Sequence, residues 1–371
     1  MKKEIIYAYP LFQKGSFNKI SQYHISHLRN YFKIHEMDCD QLVDLLNTLM
    51  WTSPKNIILH PLFYPILGSP ERIKTNWSEI LGNFFNVSKK LIGIDTTDSD
   101  RISKNAVIVA NNFDLIIVPS TWAKESYKKS RVKTRIEVIP HGVSDIYFKC
   151  NVHIKNEKLK KILELKRKRK YIYILFFLLH SGYRKGADLV FKSMIKVQHK
   201  YKDVVLVVKR GDLVDPHMYN LRKLRCIEIA GWISEEDLVA LYDMCDIVLC
   251  PSRGGGFELN ALEALARGKP VIVPHDGCFL DYIDLCIPVR ISKRPIVLVG
   301  NNVHVGRGHE VDLDDFTEKI MDTIEAAKST SPDSRVVQEN IFSKYQKIIK
   351  KKYSWKVVCE KLRRVLERVI D

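Results

Sequence analysis

The sequence predicts an α/β protein of two doubly wound domains. Short apolar strands alternate with helical stretches through both halves, the signature of parallel sheets covered by helices. The strand ends carry polar, turn-forming residues, as they do where ligands bind beyond the carboxyl edge of an open sheet. With 371 residues and 46% hydrophobic content, the chain exceeds one ordinary core and suits two.

In the first half, strands are expected at Ile5–Ala8, Asn56–Leu59, Leu91–Ile94, Leu115–Val118 and Ile136–Ile139. They end in Tyr9-Pro10, His60-Pro61, Asp95-Thr96, Pro119-Ser120 and Pro140-His141-Gly142. In the second half they are expected at Ile172–Leu178, Val204–Val208, Glu228–Ile229, Ile247–Leu249 and Val271–Val273. Their tips are His180-Ser181-Gly182, Lys209-Arg210-Gly211, Gly231-Trp232, Pro251-Ser252-Arg253 and Pro274-His275. Ser120 and Ser234 read as helix N-caps, the latter followed by Glu235, Glu236 and Asp237. The stretch Lys155 to Lys170 is densely basic and reads as a solvated helix at the domain boundary. Beyond about residue 312 the chain is helical and ends in an amphipathic segment around Trp355. The expected domains are 1–155, joined by a closing helix at about 353–371, and 156–352.

The formal charge of +17 implies attraction to polyanions: nucleic acid, an anionic membrane or a phosphorylated substrate. No zinc-finger spacing, RNP-type aromatic motif or helix-turn-helix pattern supports specific nucleic-acid binding. Eight cysteines at 39, 150, 226, 245, 250, 278, 286 and 359 include no Cys-x-x-Cys pair, so reduced core thiols are expected. The start of the chain lacks a signal peptide's apolar region, and the longest apolar run, 171–179, is far below spanning length. A cytoplasmic location is expected, with peripheral contact at the inner face of an anionic membrane as a further expectation.

Chemistry concentrates in Gly254-Gly255-Gly256-Phe257-Glu258-Leu259, which lies between the strand at 247–249 and an Ala/Leu-rich helix. Bare backbone N–H groups at a helix N-terminus describe an anion site. Glu263 stands one turn beyond Leu259, where a carboxylate can meet ribose hydroxyls beside a diphosphate.

Ile227 to Ile272, with Gly231-Trp232-Ile233, Asp246-Ile-Val-Leu-Cys-Pro-Ser, Gly-Phe-Glu-Leu, Leu-Glu-Ala and Gly-Lys-Pro-Val-Ile, resembles the retaining GT-B glycosyltransferases of family 4. Asp114-Leu-Ile-Ile-Val-Pro-Ser, Val138-Ile-Pro-His-Gly and the Ser354-Trp355 helix extend the resemblance over roughly residues 90 to 371. It implies two Rossmann-like domains facing a cleft, with the C-terminal helix packing back on the N-terminal domain. It also implies a nucleotide-sugar donor in the second domain and an acceptor in the first, the expected acceptor being a glycan, lipid-linked or other hydroxyl compound, with no metal and no cofactor. A catalytically silent binding protein and a nucleotide-sugar hydrolase or epimerase on the same fold are the alternatives.

Residue by residue, Lys185 matches the family lysine on the diphosphate, and Glu263 the second carboxylate of its Glu-x7-Glu pattern. The first carboxylate falls at Gly255, so Glu258 is the candidate replacement. An arginine usual in the family is missing near Leu179, leaving Arg184 or Lys209 as the second cation. Gly255, Gly256, Phe257 and Leu259 border the donor, Trp232 the nucleobase, and Gly15 is what remains of a glycine pair after the first strand. Asp95 is the candidate base or polar guide for the acceptor hydroxyl. His60 and His141 follow strands and are more simply structural. Asp98-Ser99-Asp100 spells a metal-binding Asp-x-Asp, but reads better with Asp98 or Ser99 capping the next helix.

Overall fold

The computed structural model describes residues 2–48, 54–68, 77–149, 152–329 and 332–370. Cys150 lies outside them. Two compact units emerge. The first comprises Met1–Gly142, Leu298–Arg307 and Trp355–Asp371; the second comprises Val143–Val297 and Gly308–Ser354.

In the first unit the strands are β1 (Glu4–Tyr9), β2 (Lys33–Asp38), β3 (Lys55–Leu59), β4 (Ser88–Ile94), β5 (Leu115–Val118) and β6 (Ile136–Val138). They pair in parallel in the order β2-β1-β3-β4-β5-β6. The order reverses direction between β1 and β3. Alternation along β1 sends Ile6 and Ala8 into one buried layer, while Ile5, Tyr7 and Tyr9 are buried on the other face. The helix Ser16–Leu28 packs beside the C-terminal helix Trp355–Glu367, so the chain's end completes its first unit. Trp355 stacks on Tyr23 with ring centroids 4.6 Å apart, and Gly142 passes close under the indole.

In the second unit β7 (Ile172–Leu178), β8 (Val204–Arg210), β9 (Cys226–Ile229), β10 (Ile247–Leu249), β11 (Val271–Pro274) and β12 (Ile287–Val289) form a parallel sheet. Its order is β12-β11-β10-β7-β8-β9, reversing between β7 and β10, and apolar layers cover both faces. A small antiparallel pair, β13 (Ile291–Lys293) and β14 (Glu310–Val311), stands apart. The first boundary lies at Gly142/Val143 rather than near 155, because Val143 and the fully buried Tyr147 belong to the second unit's core.

Residues 298–307 leave the second unit's chain course and dock on 99–103 of the first. Backbone N–H groups of Asp100 and Ser103 donate to the carbonyls of Arg307 and Val303, both at 2.8 Å. Gly306 N–H donates to Ser99 Oγ at 3.1 Å and Arg307 N–H to Asp100 Oδ1 at 2.7 Å. Asp100 of the Asp-x-Asp segment is thereby bonded to backbone through both its N–H and its carboxylate. The following helix, Lys104–Ala110, is capped by Ser103 rather than by Asp98 or Ser99. Ser120 and Ser234 do cap their helices, through Ala123 N–H and Asp237 N–H, each at 3.1 Å. The basic stretch is a helix, Glu157–Arg169, that buries Leu159 and Ile162 and leaves most of its charges in solvent.

Candidate active site

In an open α/β sheet the crevice lies where strand order reverses, beyond the carboxyl ends of the two strands flanking the reversal. For the second unit these are β7 and β10, and their tip loops carry 179–188 and 250–258. After β7 the chain forms a single helical turn, Gly182–Lys185. It reverses at Gly186 in left-handed backbone (φ 77°) and enters the helix Ala187–Lys200. A Cβ at Gly186 would collide with the Pro251 carbonyl, so glycine alone lets the two loops approach this closely. Asp215 closes the turn by accepting from Gly182 N–H at 2.8 Å.

Lys185 Nζ lies 2.6 Å from Glu258 Oε1, with the lysine side chain 21% exposed and the glutamate 4%. Glu258 occupies the N-cap position of the helix Leu259–Ala266 but makes no side-chain cap bond; its carboxylate turns to the lysine instead. A Cβ placed on Gly255 would stand 2.7 Å from that same carboxylate oxygen. The Glu258 carboxylate therefore sits where a side chain at 255 would begin.

Arg184 is buried and donates Nη1–H to the Gly254 carbonyl at 2.9 Å, bracing the glycine loop. Glu263 is buried on the same helix and accepts from Tyr242 Oη at 2.9 Å. Phe257 and Leu259 are half-buried, and the Phe257 ring lies 6.2 Å from that of Tyr282.

Lys209, at the tip of β8, is buried rather than a surface lysine. Its ammonium donates to the carbonyls of Arg210 and Gly231, and burial brings its pKa down to about 8. It thus ties the β8 tip to the loop bearing Trp232, a residue 50% exposed.

Asp95 ends β4 in the first unit and is buried. Its carboxylate accepts from Thr96 N–H at 2.7 Å and Phe63 N–H at 3.1 Å, and burial pushes its pKa up to about 7. These bonds make it a staple of the turn after β3. Gly15 precedes the helix Ser16–Leu28 in extended backbone (φ 178°) with open space where a Cβ would stand. His60 follows β3 with Nδ1 2.8 Å from Ser21 Oγ and 3.1 Å from Tyr7 Oη, and Tyr7 Oη is also 2.9 Å from His24 Nδ1. Burial holds His24 and His141 near pKa 3 and His60 well below its ordinary value, so all three are neutral core groups at neutral pH.

Sequence reasoning missed Arg253 and its partners Asp188 and Glu310. The signal was an arginine directly before a glycine run, which sequence alone presents as a solvent-facing loop residue. Among the described residues, no group of three or more His, Cys, Asp or Glu is placed to hold a metal ion. Among them also, no helix is long and apolar enough to cross a membrane.

Residues 172–283 match the family model described as Glycosyl transferases group 1, and residues 233–362 match one described as Family 4 Glycosyltransferase in conflict systems. The chain is 29% identical over 344 residues to protein 356 of Sulfolobus islandicus rod-shaped virus 1, covering 88% of this chain and 89% of that one. It is 29% identical over 152 residues to the O-antigen biosynthesis glycosyltransferase WclY of Escherichia coli, covering 38% and 41%. The sucrose-phosphate synthase structure from Thermosynechococcus elongatus superposes with a TM-score of 0.65 over 99% of both chains. At 14% identity that likeness shows the fold alone, which is the GT-B fold.

Proposed function

We propose that this chain, a glycosyltransferase of GT-B fold, moves a sugar from a nucleotide-diphosphate donor to a hydroxyl of a glycan or lipid-linked acceptor, with retention at the anomeric carbon and without a metal. The observation that carries the reading is the Lys185–Glu258 pair on the loops that flank the β7/β10 reversal. Breaking a sugar–phosphate bond builds negative charge on the departing diphosphate while the anomeric carbon becomes cationic. Lys185 and the N–H groups of the glycine loop meet the first charge, and Glu258 lies beside Lys185 to stabilise the second. Glu263 holds the ribose, and the loop at Trp232 borders the base.

The acceptor oxygen forms its bond to the anomeric carbon as the bond to the diphosphate breaks. The acceptor's proton leaves on the departing phosphate oxygen, so the step needs no co-reactant. The placement of Glu258 at the vacant side-chain position of Gly255 favours a working enzyme over a silent relative. The acceptor class is taken from the family match and from the glycan chemistry in WclY's name.

The test is incubation with a panel of UDP-, GDP- and ADP-sugars and glycan acceptors, following nucleotide release and the anomeric configuration of the product. Release with one donor, unaffected by a chelator and with retained configuration, is the expected result. No release with any donor removes the reading, and inversion or loss of activity in chelator removes its finer parts.

A further inference from the structure

We infer that Arg253 is a positioning residue, which locks the Gly254–Gly256 loop against the Lys185 turn and so sets the Lys185–Glu258 geometry. The inference rests on the function proposed above and deepens it. Arg253 leaves the tip of β10 directly before the glycines, and its side chain is 1% exposed. Four of its five N–H donors are engaged. Nη1 and Nη2 grip Asp188 at 2.7 and 2.8 Å, Nε donates to Glu310 Oε2 at 2.6 Å, and Nη1 also donates to the Tyr183 carbonyl at 2.5 Å. The guanidinium lies 4.0 Å from the Tyr183 ring centroid.

Tyr183 and Asp188 stand on either side of Lys185 in the chain, so one planar group fixes both ends of the segment that bears it. Main-chain bonds repeat the tie: Arg253 N–H donates to the Arg184 carbonyl at 2.6 Å, and the Arg253 carbonyl accepts from His309 N–H at 2.8 Å. Segment 308–310 can lie this close only because a Cβ at Gly308 would overlap that carbonyl. The charges alternate outward, Lys293 standing 3.1 Å from Glu310 and Lys192 4.0 Å from Asp188.

A buried ion pair replaced by apolar groups is often neutral in stability, whereas a two-point fork on a carboxylate adds geometric definition. A guanidinium buried this deeply is held by protein carboxylates and carbonyls. Its action on the reaction passes through Lys185 and Glu258.

The test compares R253K, R253M and the apolar triple variant R253M/D188L/E310M in the full chain, with the donor found in the panel above. R253K is expected to fold and to lose about 10²-fold in kcat with KM within about threefold, as a displacement near 1 Å of a reacting geometry does. The triple variant is expected to regain the thermal stability lost by R253M while its kcat stays low. Recovery of kcat together with stability, or wild-type kcat in R253K, overturns the inference. A readout independent of turnover is the NMR signal of Lys185 after reductive ¹³C-methylation. Arg253 as a positioning residue requires that signal to move in R253K, and an unmoved signal overturns the inference even if no sugar nucleotide is consumed. Failure of the wild-type panel with a moved signal indicts the proposed reaction alone.

Discussion

Substituting Gly255 and Glu258 separately and then exchanging them tests the site most sharply. In Gly255→Ala, the new Cβ would lie 2.7 Å from Glu258 Oε1, while ordinary contact begins at 3.4 Å. The carboxylate must therefore shift by about 0.7 Å, which disturbs its 2.6 Å contact with Lys185. A shift of that size in a positioned group lowers kcat by about 30- to 100-fold, or about 2–3 kcal/mol. Glu258→Gln keeps shape and removes charge, with an expected loss of about 10²- to 10³-fold in kcat, as for removal of one charge-stabilising group. Gly255→Glu alone crowds two carboxylates into one buried space and is expected to be both inactive and destabilised. The exchange Gly255→Glu with Glu258→Gly returns one carboxylate to the place from the other backbone position, and kcat is expected to recover to within about tenfold of the parent chain. The assay is nucleotide release at saturating donor, with thermal unfolding to establish that each variant folds. A folded exchange variant as inactive as Glu258→Gly, or an undiminished Glu258→Gln, refutes the substitution of one carboxylate by the other.

Lys185→Met is expected to fold and to lose at least about 10²-fold in kcat, seen in the same release assay. Tyr242→Phe leaves the buried Glu263 carboxylate without its 2.9 Å donor and is expected to cost about 1–3 kcal/mol in urea unfolding. Gly142→Ala drives a Cβ to 2.5 Å from the Trp355 ring and is expected to cost about 1–3 kcal/mol, read as a lower Tm. On pH, His24, His60 and His141 have folded pKa values below their unfolded ones, so the unfolded chain binds more protons and stability is lost as pH falls below about 6.5. Asp95, raised to about 7, acts in the opposite sense between its unfolded value and that pH. From pH 7.5 to 5.5 the three histidines and His309, likewise lowered by burial to about 4, remove about 5 kcal/mol and Asp95 returns about 2, for a net loss of about 3 kcal/mol; equal or greater urea stability at pH 5.5 contradicts this.

Much of the fold was legible because parallel strands buried on both faces read as unbroken apolar runs, as Ile172–Leu178 and Leu115–Val118 do. The strand β2 was not, since Lys-Ile-His-Glu-Met-Asp lies at a sheet edge where alternate residues face solvent. Nor was β12, three residues with a proline at the edge of the second sheet. In the site, Lys185 and Glu258 were legible as a motif with a displaced carboxylate, and the structure puts them in contact. Lys209, Asp95 and Arg253 show the limit: whether a charged side chain reaches a ligand or folds back on backbone depends on contacts distant in sequence. For Lys209 that is the carbonyl at 231, and for Arg253 the carboxylates at 188 and 310.

The mosaic make-up of the first unit, with its pieces at 1–142, 298–307 and 355–371, bears on how the chain is made. A ribosome that has delivered the whole first sheet has still to synthesise the helix that stacks on Tyr23 and the segment that satisfies Asp100 and Ser103. The second unit is complete at residue 354, before that helix emerges. The half that begins first therefore finishes last, and a nascent chain halted near 350 exposes the apolar face meant for Trp355, Val358 and Leu362 to whatever chaperone or aggregate is at hand.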